Sequence, residues 1–182
     1  MRLVKSTDGD AAAAALAAVA AVRGHEGNLY RLLANSPNTL QLICDLVWGL
    51  WATVDSRLAE LSILRVAQLL SAPYEWAHHA DKALAAGVSP QQISELHTWQ
   101  GSGAFDNEDK ILLAVVDAAA TGNVVPSRVL DPLLNLYPVD VCVEILTVIG
   151  LYRAIAVMLN SFDVELENWA PRTRLECDRA VN

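Results

Sequence analysis

The chain has 182 residues, 53% hydrophobic and 19% charged, with a formal net charge of -8. That length and apolar share belong to a packed domain with a sizeable core and exclude a disordered chain. The acidic balance, with no block of Lys or Arg, excludes nucleic acid and anionic membrane surfaces as partners. The apolar surplus is expected to be covered between subunits, so the expected partner is a second copy in a homo-oligomer. Cys44, Cys142 and Cys177 lie far apart with no CxxC spacing and read as reduced thiols, which predicts a cytoplasmic location.

Helical periodicity and helix punctuation run through the chain, with no strand alternation between hairpin turns. A first helix is expected over 9–22. Its Ala-rich stretch, Ala11 to Val22, is shorter than the ~20 apolar residues of a membrane span. Asp8 and Asp10 before it suit a helix start rather than a signal segment. Gly24 and Gly27 loosen the chain, and a short helix covers 28–33. Ser36-Pro37 precedes a helix over 38–52, and Asp55 or Ser56 caps one over 57–70. Pro73 opens a helix that Gly87 ends. Ser89-Pro90 opens one carrying Ile93, Leu96 and His97. After the Gly101-Ser102-Gly103 loop, Asp106 opens a helix to Thr121. Pro126 starts a short helix, and Pro138 precedes a long one to Asn160. The run Val141 to Leu159 carries Glu144 and Arg153 and reads as a buried helix. The tail from Pro171 reads as loose. Ala59-Glu60-Leu61-Ser62-Ile63-Leu64 faintly echoes Val143-Glu144-Ile145-Leu146-Thr147-Val148, as a duplicated unit or by chance.

Ionisable groups concentrate around one helix break. Glu75 and His79 are four apart and share a helical face. Glu75 falls in the first turn after Pro73, where the helix dipole favours its ionised form. An ionised Glu75 is expected to raise the pKa of His79. Glu60 sits in an apolar helix, so it must be paired or have its own pKa raised. A hairpin at Pro73 would bring it to the Glu75/His79 face. Two carboxyl groups in different environments suit acid–base work.

The plainer alternative is a solvated face continued by Asp81 and Lys82. His25 and His97 are isolated. Glu75-x-x-His78 also has the spacing of carboxylate-bridged metal bundles, but the second copy those need is missing, so neither metal nor cofactor is expected. The five tryptophans, Trp48, Trp51, Trp76, Trp99 and Trp169, read as core, subunit interface or the walls of an apolar pocket.

At these residues the chain resembles the carboxymuconolactone decarboxylase and alkyl hydroperoxidase D superfamily. The resemblance covers 28–167 and is densest over Glu60-Leu-Ser-Ile-Leu-Arg-Val-Ala, Tyr74-Glu-Trp-Ala-His-His and the following Ala-Ala-Gly-Val-Ser. Tyr152-Arg153 and Asn160-Ser-Phe-Asp-Val-Glu-Leu-Glu resemble the longer, decarboxylase-like branch. The resemblance implies an all-α, alkyl hydroperoxidase D-like fold in a single domain, assembled as a dimer, trimer or hexamer. It implies a domain over 28–170, with an N-terminal helical extension over 1–27 and a tail over 171–182. It also implies a site near a subunit interface in which Glu60 matches the family glutamate and His79 the family histidine.

The peroxidase branch carries two redox cysteines where this chain has Ala72 and Glu75, and a histidine where it has Tyr74. Thiol-dependent peroxide reduction needs a thiolate and a disulfide, which those residues cannot supply. What the resemblance then implies is cofactor-free acid–base chemistry on a small carbonyl, lactone or carboxylate substrate, of decarboxylase, lyase, isomerase or cyclase type. Glu60, Glu75 and His79 are the expected catalytic groups. Tyr74, Trp76, His78, Arg65 and Arg153 are the expected substrate contacts. Ala59 stands where family members often carry Arg, so the namesake substrate need not be this chain's own. A non-catalytic binding or scaffolding member is the competing expectation.

Overall fold

The computed structural model describes residues 10–23 and 27–170, so the expectations for Gly24, His25, Cys177 and the tail lie outside the described residues. Nine α-helices and a single 3₁₀ turn make up the regular structure of the described residues, with no strand. They are α1 (Asp10–Arg23), α2 (Asn28–Leu33), α3 (Pro37–Trp51), α4 (Ser56–Leu69), α5 (Pro73–Ala85), α6 (Pro90–Glu95), α7 (Asn107–Thr121), α8 (Ser127–Leu136) and α9 (Val139–Ser161). The helix expected to carry Ile93, Leu96 and His97 stops at Glu95, and Leu96–Thr98 forms the 3₁₀ turn.

The helix starts follow local chemistry. Asp55 accepts the Leu58 N–H at 2.9 Å and caps α4, and Asp106 accepts the Asp109 N–H at 2.9 Å and caps α7. Ser89 and Gln92 form a reciprocal capping box on α6. Pro37, Pro73 and Pro90 stand in the first turns of α3, α5 and α6, where a missing N–H breaks nothing. The ends of α4 and α5 share one device. Beyond α4, the Ala72 N–H donates to the Ala67 carbonyl and the Ser71 N–H to that of Gln68. Beyond α5, the Val88 N–H donates to Ala83 and the Gly87 N–H to Leu84. The pivots are left-handed, with φ 51° at Ser71 and φ 97° at Gly87. Both turns are Schellman motifs, one built on the expected glycine and one on a serine.

Two compact units divide the described residues. Thr53 ends the first stretch of one unit, which Met158–Ala170 completes, and Val54–Val157 form the other. In the first unit α1, α2 and α3 pack together around Ala12, Val19, Leu33, Ala34, Leu40 and Cys44. The Asn28 backbone N–H donates to the Glu167 carboxylate, and the Asn28 side chain donates to the Glu165 carbonyl at 2.9 Å.

In the second unit α4 is the central element. All of Leu58–Gln68 is buried, and α5 and α7 pack on it. A helix buried around its whole circumference must also bury its polar residues, and each is bonded. Ser62 Oγ donates to the Leu58 carbonyl at 2.7 Å, and Arg65 makes an ion pair with Asp117 on α7. Arg57 makes a bidentate pair with Asp109, which also accepts from Gln92 Nε2 at 2.8 Å. α9 is long and apolar enough to cross a membrane by length and composition alone. In this unit one face of it, Cys142, Ile145, Val148, Ile149, Tyr152, Ile155 and Ala156, is buried, while Val139, Val143 and Val157 are exposed, so the expected buried helix is buried on one face only.

Candidate active site

The α4–α5 hairpin brings Glu60 to His79. Glu60 Oε2 lies 2.7 Å from His79 Nδ1, and the two residues are only 3% and 7% exposed. Pro73 sets the start of α5, and the Schellman turn sets its distance from α4. Two residues separated by 19 positions thus meet as one buried pair. With Glu60 accepting the Nδ1 hydrogen, the imidazole lone pair falls on Nε2. Burial lowers the pKa of His79 from 6.5. The Glu60 hydrogen bond and charge oppose that shift, while Lys82 and His78 add to it. The neutral, basic form of His79 is therefore favoured around neutral pH.

Glu75 corrects an expectation. It lies in the first turn of α5 but is 2% exposed, and neither carboxyl oxygen has a hydrogen-bond partner. Burial alone pushes its pKa well above 4.5. Against the expected ionised Glu75 raising the pKa of His79, burial disfavours the Glu75 carboxylate, and the pKa of His79 is lowered. The helix terminus favours a charge by about 0.3–1 kcal/mol, whereas burying an unpaired carboxylate costs several times that.

Tyr152 is the neighbour that local spacing could not reveal. Its ring meets His79 edge-on at 5.0 Å between centroids. It arrives from α9, 73 positions downstream, through tertiary packing. Tyr74 meets the half-buried His78 with ring centroids 4.5 Å apart and planes tilted by 34°. Trp76 is 3% exposed and belongs to the core. Among the described residues no three His, Cys, Asp or Glu side chains gather as metal ligands.

The two arginines expected to bind substrate are otherwise engaged. Arg65 Nε donates to Asp117 Oδ1 at 2.7 Å, Nη2 donates to Oδ2 at 3.1 Å, and Nη1 donates to Gln68 Oε1 at 2.6 Å and to the Leu96 carbonyl at 3.3 Å. Trp99 Nε1 adds a bond to the same Asp117 at 3.3 Å. Arg153 Nη1 donates to the carbonyls of Ala119 and Gly122, at 3.3 and 2.9 Å, closing the end of α7. Arg65 is buried and Arg153 half-buried, and each guanidinium satisfies donors where acceptors converge.

This helical architecture has known relatives. Residues 37–121 match the Carboxymuconolactone decarboxylase family. A protein of unknown function from Agrobacterium tumefaciens, ATU0492, proposed as an antioxidant defence protein AhpD, superposes with a TM-score of 0.69. It is 19% identical, and the match covers 74% of this chain and 94% of that one. Over residues 37–121 the chain is similar to the Carboxymuconolactone decarboxylase family, and it shares its fold with a protein proposed to be AhpD.

Other members of this fold include the debrominase Bmp8. A cysteine-to-alanine variant of Bmp8 in complex with 2,3,4-tribromopyrrole gives a TM-score of 0.72 at 14% identity, covering 91% of this chain and 90% of that one. Apo Bmp8 gives 0.71 at 15% identity with the same coverage. No curated protein is significantly similar to the chain in sequence. The carboxymuconolactone decarboxylase match contains Glu60, Glu75 and His79, whereas Tyr152 lies beyond it.

Proposed function

We propose that the chain is a cofactor-independent acid–base enzyme of decarboxylase, lyase, isomerase or cyclase type, acting on a small carbonyl, lactone or carboxylate substrate without redox cysteines. The observation that carries this reading is the buried Glu60–His79 contact at 2.7 Å. Glu60 holds the imidazole in one tautomer and orientation, and burial keeps it neutral. Nε2 is then the base that takes a proton from substrate carbon and returns it, which needs no electron carrier. The family match and the Bmp8 neighbour support an enzymatic role, and the tribromopyrrole bound to Bmp8 is itself a small ring compound.

Ala72 and Glu75 argue against a thiol mechanism. Cys44 and Cys142, the described cysteines, are both buried elsewhere, Cys44 in the α1–α3 core. His79→Ala and Glu60→Gln are each expected to lower turnover of a small carbonyl or lactone substrate about 10²- to 10⁴-fold while circular dichroism stays unchanged. Wild-type turnover in both variants overturns the proposal.

The same burial supports a second reading. A Glu and a His only 3% and 7% exposed and bonded to each other also suit a non-catalytic, ligand-binding or scaffolding member. That reading predicts saturable ligand binding, weakened by His79→Ala, with no product formed. Homo-oligomerisation is part of the proposal. Leu42 and Leu46 stand one turn apart on α3, 60% and 43% exposed, and Val143 on α9 is 56% exposed. Sedimentation velocity is expected to give more than a monomer's mass, and a monomer at all concentrations refutes this part.

A further inference from the structure

Buried acids elsewhere among the described residues are bonded. Asp109 pairs with Arg57 and Gln92, Glu60 with His79, and Glu167 with the Asn28 N–H. Glu75 is as buried as these, yet neither of its oxygens has a partner. The position is therefore not explained by internal bonding, and an unpartnered buried carboxyl suits a group that bonds to a ligand.

Its placement is specific. On α5 it stands one turn before His79, which sets the two side chains about 6 Å apart at Cβ on one face. That face already holds the Glu60-oriented imidazole. A donor and a base at that separation span a carbonyl oxygen and the C–H next to it.

The charges around the site narrow the ligand further. Arg65 is held by Asp117, Gln68 and the Leu96 carbonyl, and Arg153 by the Ala119 and Gly122 carbonyls. Arg57 is held by Asp109. Lys82 stands one turn beyond His79 at an exposed position. Among the described residues the buried site therefore offers an acid and a base, while Arg57, Arg65 and Arg153 are engaged elsewhere.

We propose that the site takes an uncharged carbonyl compound, with the Glu75 carboxylic acid donating its proton to the carbonyl oxygen while His79 Nε2 removes a proton from the adjacent carbon. This rests on the proton-transfer reading of His79 and adds the substrate class and the partner acid. In the step the C–H electron pair becomes a C=C bond. The C=O π pair moves to oxygen, which takes the Glu75 proton. The products are an enol, imidazolium at His79 and carboxylate at Glu75. Where the carbonyl compound carries a β,γ C=C bond the enol is a dienol, and return of the His79 proton to its γ carbon, with the enol proton going back to Glu75, shifts the double bond with no oxidant or reductant. Without that bond the proton returns to the same carbon and the net result is exchange. Burial favours the protonated acid that the step requires.

The test follows hydrogen–deuterium exchange at the ketone-adjacent carbons of methyl 4-oxopentanoate and of 4-oxopentanoate by proton NMR in heavy water. These probes share one ketone and differ in charge. Infrared difference spectra of wild type against Glu75→Gln report the protonated carboxyl directly. The expected results are a protonated-carboxyl band at neutral pH and exchange of the ester about tenfold faster than of the anion. Exchange of the ester should fall about 10²-fold in Glu75→Leu, with folding intact.

Wild-type exchange in both Glu75→Leu and Glu75→Gln, with loss in His79→Ala, overturns the role of Glu75 and leaves the base standing. Wild-type exchange in His79→Ala overturns the base reading and this one with it. Faster exchange of the anion, or no exchange above that of free imidazole for either probe, overturns the substrate class. Absence of the protonated band overturns the acid.

Discussion

At the residue scale, a neutral acid and a neutral base on adjacent turns make opposite contributions to stability. The pKa of His79 is lower in the native state than its ordinary 6.5. Between those two values the unfolded chain binds more protons, so stability rises with pH and levels off above 6.5. The pKa of Glu75 is raised well above 4.5. Above 4.5 the native state binds more protons, so stability falls as pH rises, until the native carboxyl itself ionises. Chemical denaturation at several pH values is expected to show a decline on the alkaline side that disappears in Glu75→Gln. Glu75→Leu also removes two unbonded buried oxygens and is expected to stabilise the fold by about 1–3 kcal/mol in urea titrations at neutral pH. The shared face of Glu75 and His79 was visible along the chain because helix periodicity makes neighbours of residues four apart, and the break at Pro73 pointed to the hairpin that brings in Glu60. The protonation state of Glu75 was not, since it depends on what covers the first turn of α5, and that cover is tertiary.

At the element scale, caps and prolines made the helices legible. Asp55, Pro73, Ser89 and Asp106 act within a few residues of themselves, so their effect does not wait on the fold. Asp55→Ala is expected to cost about 1 kcal/mol in a thermal or urea melt, through the lost cap on α4. The arginines show the converse. Arg65 looked like an anion hook because its partner Asp117 lies 52 positions away on α7, out of reach of any local pattern. Arg65→Ala is expected to cost about 3 kcal/mol, because it strips a buried pair of one member while Asp117 stays partly covered. Arg65→Met combined with Asp117→Leu should recover most of that loss. If the double variant is no better than the single, the guanidinium carries more than a brace between α4 and α7. Leu96–Thr98 tightened into a 3₁₀ turn for a related reason: Arg65 draws the Leu96 carbonyl toward α4, a demand no periodicity records.

At the scale of the whole molecule, the all-helical class followed from patterning, and the likeness to the carboxymuconolactone decarboxylase family from the Glu60-to-His79 segment. A compact unit assembled from Met158–Ala170 together with the residues before 54 joins distant stretches, and no change of composition marks its edge. Activity, once a substrate is in hand, is expected to be unchanged after treatment with N-ethylmaleimide, because Cys44 and Cys142 are buried and positions 72 and 75 carry no sulfur. Loss of activity on alkylation would return thiol chemistry to the molecule.

The turn at Ser71 has a different kind of consequence. Its left-handed serine and the two bonds back into α4 leave no slack between the helices. The angular phase of α5 against α4 is therefore counted out in residues, as teeth count out the phase of meshed gears. Adding one residue before Pro73 would turn α5 by about 100° and swing His79 off Glu60, although both helices would still form. Side chains at positions 72 and 75 can change without disturbing that phase. In this stretch of chain, chemistry is free to vary under substitution, while length is held constant by geometry.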